Sequence, residues 1–348
     1  MRKIFPYITI KLTEIKIFNL SSIHKNLLIN ITFIVAVSLL LASKVISQES
    51  TVSNTGSIIK LKLKDKFSLT DSVFNNTVTK NNSGSQFKKQ DRKVNYLKFG
   101  VITGVTAGAF WWLHNYQKNA WWSGQRGEFH FQDDWDYAMS ADKTGHFFDG
   151  ALIQAIYRGA PEWAGFSPTA SVWLGAAFSI AYMTDVEIED GFAKDWGFSP
   201  GDQICNVAGA LYPVAQYYWK PLRSFNFKWS YYPSEEITSG KKNGAFLDDY
   251  NGQTMWLSVN VHDFLGKKAK NFWPDYLNIV TGYGVNHYTQ YDIRYADYYV
   301  GLDLNWEKII PGNSKFMLWF KNIINHFRFL PLPALRFNKE GVQYIVNW

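Results

Sequence analysis

Residues 142–149 read Asp-Lys-Thr-Gly-His-Phe-Phe-Asp. Asp142, His146 and Asp149 are four and three residues apart, so a helix brings all three to one face. The apolar run Gly145–Tyr157, interrupted by Asp149, predicts that helix. Working outward, Tyr96–Leu113 is a second apolar segment, with Gly100, Gly104 and Gly108 at four-residue spacing. Such a stripe serves close helix packing in lipid and in tightly packed soluble helices alike. Gly165–Thr184 is 20 residues without a charge, long enough to cross a bilayer core, with Pro168 suited to a first helical turn. Gln203–Trp219 is the fourth segment. Ser199 and Pro200 mark its start, and Pro213 is expected to kink it.

The later helices repeat the polar pattern. Glu187 and Asp190 share a face, as do Asp202 and Asn206, with Gly209 one turn further. Ionisable groups on apolar helices are costly to bury alone, so Asp142, His146, Glu187, Asp190, Asp202 and Asn206 are expected to converge. Three uses of such a cluster are open. Catalysis would make His146 the base, with Asp142 or Asp149 orienting it and Glu187 and Asp202 positioning substrate or metal. A divalent metal could be held by Glu187, Asp190 and His146. The third use is a hydrogen-bonded network that locks helix register, joined by Lys143, Asp149, Asp190 and Asn206 and packed around Gly145, Gly191 and Gly209. His114, His130, His262, His287 and His326 have no ligand-like spacing. Glu128, Asp133, Asp134 and Asp136 read as a solvated acidic loop, because the regular spacing of a calcium loop is absent.

Beyond residue 222 the period changes to two. Tyr298, Val300, Leu302, Leu304 and Trp306 alternate with Tyr299, Gly301, Asp303 and Asn305, as in a half-buried strand. Further strands are expected at Asn226–Tyr232, Met255–Val261, Leu277–Tyr288, Ala334–Asn338 and Val342–Trp348. Lys315–Phe327 has the spacing of an amphipathic helix. Six strands fall short of a closed barrel, for which about eight are needed. The fold class is therefore α+β: a small apolar helical bundle over 93–222, then an antiparallel, aromatic-rich, partial barrel-like sheet with one amphipathic helix over 223–348.

Charge and composition narrow the setting. The chain of 348 residues has 36 Lys/Arg against 29 Asp/Glu. Residues 1–93 hold 15 Lys/Arg and 5 Asp/Glu, whereas 94–348 hold 21 and 24. The basic excess thus lies outside the expected folded part, which argues against a nucleic-acid partner. Leu27–Ser43 is an apolar run behind basic residues, the pattern of a secretory signal ending by residue 47, with an uncleaved anchor as the alternative. Residues 48–92, rich in Ser, Asn, Thr and Lys, read as a disordered tether. The single cysteine, Cys205, rules out an internal disulfide and reads as a small apolar residue. With 15 Trp, 20 Tyr and 26 Phe, a membrane or an outer-membrane protein is the expected partner.

The blocks Asp142–Phe147, Glu187–Phe192, Trp196–Ser199, Asp202–Gly209 and Asp249–Thr254 resemble the YfiM-like family of predicted periplasmic lipoproteins, in its longer Bacteroidetes-type form. The likeness spans roughly residues 135–310. It implies an exported protein of the periplasm or outer membrane and carries no established activity. No cysteine stands just after the apolar run of the leader, so lipid attachment at a mature N-terminal cysteine is not expected. A weaker likeness is to VanZ-like membrane proteins, at Asp142, Lys143, His146, Glu187, Asp202, Asn206 and Gly209. The basic residue of that pattern has Lys194 as its nearest counterpart. The functions in view are an outer-membrane-associated scaffold or transport-assisting protein, a membrane-associated hydrolase or transferase on a lipid or glycan precursor, and a metal-binding module. No H-E-x-x-H or phosphate-binding glycine loop is present.

Overall fold

The computed structural model describes residues 93–347 apart from 125, 241–247 and 287–294. The expected leader and tether lie outside the described residues. Four helices come first: α1 (Tyr96–Ala120), α2 (Ala141–Ala164), α3 (Pro168–Phe192) and α4 (Pro200–Tyr218). Their starts follow from local chemistry. Ser167 and Ser199 cap α3 and α4 by accepting from the backbone N–H of Ala170 and Asp202, each with proline in the first turn. The α4 helix runs on through Pro213.

Helix α3 buries Val172, Leu174, Ala176 and Ser179. No helix among the described residues is long and apolar enough to cross a membrane. The uncharged run Gly165–Thr184, long enough for a bilayer core, is buried or half-buried within the protein except at Trp173. Helices α2 and α4 approach so closely that a Cβ on Gly209 would stand 2.0 Å from the Phe147 carbonyl oxygen, and one on Gly150 2.5 Å from that of Asn206. Only glycine fits at either crossing.

The six expected strands form one antiparallel meander, β1 (Phe225–Tyr231), β2 (Gln253–Val259), β3 (Leu277–Asn286), β4 (Tyr295–Leu304), β5 (Leu332–Asn338) and β6 (Gly341–Asn347), paired in chain order and not closed. The amphipathic helix α5 (Lys315–Ile324) packs on α2, where the Trp319 indole donates to the Ile156 carbonyl at 3.0 Å. One strand register, Phe227–Leu257–Thr281–Val300–Leu335–Tyr344, runs across the sheet and is mostly apolar. At the β1 end this face meets α2, through Phe147 on Phe227 and Phe148 on Trp229. At the β4–β6 end it is open, with Val300, Leu335 and Tyr344 exposed.

The opposite face is more polar and yet buried. Lys228, Ser258, Asn278 and Asp303 are all at most 1% exposed, and Lys228 Nζ reaches Asp303 at 2.7 Å and Asn325 at 3.1 Å. Strands β1 and β4 are separated by two others in the sheet, so this contact requires strong curling. The edge of β1 is occupied at Trp229, which exchanges 2.9 Å backbone bonds with His326 and Arg328.

Candidate active site

Three elements deliver the polar residues to one place. Before α2, Ala138, Met139 and Ser140 all have positive φ, from 48° to 63°, a left-handed turn costing roughly 1–2 kcal/mol per residue. The Met139 carbonyl accepts from the Tyr283 hydroxyl, and the Ser140 hydroxyl donates to the Trp135 carbonyl at 2.8 Å. These bonds hold the turn and set the start of α2, hence the positions of Asp142, Lys143 and His146.

His146 is the centre of the cluster. Its Nδ1 lies 3.0 Å from Asn206 Oδ1 and 3.4 Å from Glu187 Oε1. Its Nε2 lies 3.6 Å from Asp142 and 3.7 Å from Asp202. Asn206 in turn donates to Glu187 at 3.1 Å, and the backbone N–H of Ser199 donates to the other Glu187 oxygen at 3.3 Å. Asp142 also accepts from the Tyr250 hydroxyl at 2.6 Å. Five of the six residues expected to converge therefore meet directly. Asp190 sits to one side, accepting from the Trp122 indole at 2.6 Å.

Lys143 was expected only as a network member, but it is the bridge. Its buried ammonium lies 2.8 Å from Asp134, 2.9 Å from Asp142 and 2.7 Å from Asp202. Asp134, read from sequence as part of a solvated loop, is therefore turned inward. It also accepts from Ser199, the cap of α4. Spacing gave no sign of this, because a loop acid has no helical period to expose its partner. Tyr250 was likewise visible only as part of a quoted block. His114, dismissed on spacing, pairs with Asp185 at 3.1 Å.

Burial and charge decide the protonation. Burial works against a charged His146, but Asp142, Asp202, Glu187 and Asp149 outweigh it and lift its pKa to about 9. The raised pKa favours the imidazolium, in which both ring nitrogens are hydrogen-bond donors. Burial lifts Glu187 to about 8 and Asp202 to about 7, against the pull of His146. Asp149 and Asp190, also desolvated, rise to about 6. Asp142 goes the other way, since His146, Lys143 and Tyr250 overcome its burial.

Donor atoms of Asp142, His146 and Asp202 lie within 4.8 Å of one another, close enough to share a divalent ion. The Lys143 ammonium already neutralises two of the three, so an ion there would compete with a resident cation.

The cluster forms one end of a cavity of about 990 Å³. Along α2 the lining runs from Asp142 to Trp163, about 32 Å at 1.5 Å per residue. Beyond the acids the walls are apolar, including Leu152, Ile153, Phe178 and Met183 of α2 and α3, and Val105 and Ala109 of α1.

The described residues thus place an acid–imidazole cluster at one end of a largely apolar cavity within an α+β fold. Residues 128–218 match the model of a family described as a predicted periplasmic lipoprotein, DUF2279. The matched stretch contains the whole His146 cluster apart from Tyr250, and it bears out the expected export to the periplasm or envelope of a Gram-negative-type bacterium. Comparison with curated proteins and with solved structures gives no match.

Proposed function

We propose that this envelope protein takes the apolar tail of one amphiphile into the cavity and acts on its polar head at His146, as a hydrolase or transferase on a lipid or glycan precursor. The observation that carries the reading is the continuity of the apolar walls with the His146 cluster. In a hydrolytic step, Asp202 or Asp149 takes a proton from water, whose oxygen bonds to the electrophilic centre. The bond to the leaving oxygen breaks, and His146 protonates that oxygen. Asp134, Asp142, Asp149, Asp190, Asp202 and Asp248 all line this end. A phosphate head would meet repulsion there, whereas hydroxyl or amine groups find acceptors. The YfiM-like resemblance supports an outer-membrane setting.

Organic extraction of the purified protein, followed by mass spectrometry, tests the reading. A bound amphiphile is expected, and Leu152→Trp, which narrows the cavity at its apolar wall, should weaken its retention. No amphiphile from the native protein, and no binding of a fluorescent acyl probe, would overturn it. If the amphiphile binds but His146→Ala turns over the extracted molecule at the wild-type rate, the transport-assisting reading replaces the enzymatic one.

A further inference from the structure

Helix α1 has two sides of different fate. Its inner side is anchored near both ends. Phe99 and Ile102 pack with Phe166 and Leu174, and Phe110 and Leu113 pack with Tyr182 and Val186. Its outer side presents Leu97, Val101, Val105, Trp112 and Tyr116, which are 80%, 55%, 68%, 65% and 43% exposed. Between them Gly100, Gly104 and Gly108 face open space. From Phe99 to Gln117 the helix has no Asp, Glu, Lys or Arg. A surface helix ordinarily shows a charged face to water, and this one has none.

We propose that the outer side of α1 lies in a lipid surface bearing anionic headgroups. Three observations select lipid over other occupants. The charged residues of α1 are Lys98 and Lys118, one near each end and both basic, which complements anionic lipid. Tyr96, Trp111, Trp112 and Tyr116 are the residue types that settle between hydrocarbon and water. The third is continuity with the cavity. Val101 and Val105 of α1 and Ile156 and Trp163 of α2 all line it, while each is at least 45% exposed. An apolar rim thus leads from the outer side of α1 into the interior. Because α1 falls short of a membrane span, it lies along the surface rather than across it. The direction of ligand entry rests on the amphiphile reading above, but the docking itself does not.

The test is flotation of the protein with vesicles of phosphatidylethanolamine and phosphatidylglycerol, beside vesicles of phosphatidylcholine alone. The wild type should float with the anionic vesicles and release at high salt. The double variant Leu97→Glu/Trp112→Glu should lose roughly tenfold or more of its partitioning. Neither side chain lines the cavity, so acyl-probe binding by this variant shows that it is folded and tests the amphiphile reading separately. Failure of the wild type to float, or equal flotation of the double variant, would overturn the proposal. So would a wild-type dimer in solution that the double variant turns into a monomer, since a second copy would then be what covers α1.

Discussion

The ammonium of Lys143 lies 2.7 Å from an Asp202 carboxylate oxygen and so joins the start of α2 to the first turn of α4. The same ammonium holds Asp142 and Asp134. Removing it leaves buried carboxylates without their counter-charge. Lys143→Met should therefore cost about 3–5 kcal/mol, read as a lower urea midpoint. The vacated place is lined by Asp142, His146 and Asp202, so the variant should regain stability when manganese or zinc is added. The wild type should show little response to the same ions.

Stability should fall as pH rises from mildly acidic to alkaline. His146 is raised from 6.5 to about 9, so its contribution is complete below 6.5 and is lost as pH climbs through about 9. Glu187, raised from 4.5 to about 8, and Asp202, raised from 3.8 to about 7, act in the same sense over lower windows. Asp142 is lowered, so its contribution is lost only as pH falls below its ordinary range. A series of thermal melts should place the highest Tm on the acidic side of neutrality, and a Tm that climbs steadily to pH 9 would contradict this protonation pattern.

Glycine at the α2–α4 crossing is a steric requirement. Gly209→Ala would put a methyl 2.0 Å from the Phe147 carbonyl oxygen, so the helices must separate. A loss of about 1–3 kcal/mol is expected. Gly104→Ala, where nothing stands within 4 Å, should be neutral or slightly stabilising. Chemical denaturation of the two variants side by side checks both.

Inside the curled sheet, Lys228 and Asp303 form a pair sealed from water. Breaking it with Lys228→Met should be far more damaging than replacing both partners as Lys228→Met/Asp303→Leu. A double-mutant cycle on urea midpoints measures the difference, and equal losses from the single and double changes would show that the pair has no special role.

The α+β order, the helix starts at Pro168 and Pro200, and the strand positions were legible because each is written in local chemistry or period. The meeting of His146 with Asn206, Glu187, Asp142 and Asp202 was legible for the same reason, since one-turn spacing on three helices leaves little freedom. Asp134 and Tyr250 were hidden in loops, where contacts depend on how distant elements fold back. The protonation of His146 was hidden too, because it depends on how many acids crowd around it. In the sheet, alternation was readable but its sense was not. The polar side of β2, with Ser258, is the buried one, because curling encloses it and leaves the apolar side to α2 and the exterior.

The bonds between Trp229 and the stretch around Phe327 have an effect on self-association. A strand arriving from another molecule finds the amides of Trp229 already engaged, while the far rim of the sheet at Gly341–Asn347 has β5 on one side only. Among the described residues β6 is therefore the more open edge, and blocking part of the other edge makes the sheet a poorer template for growth into a fibre.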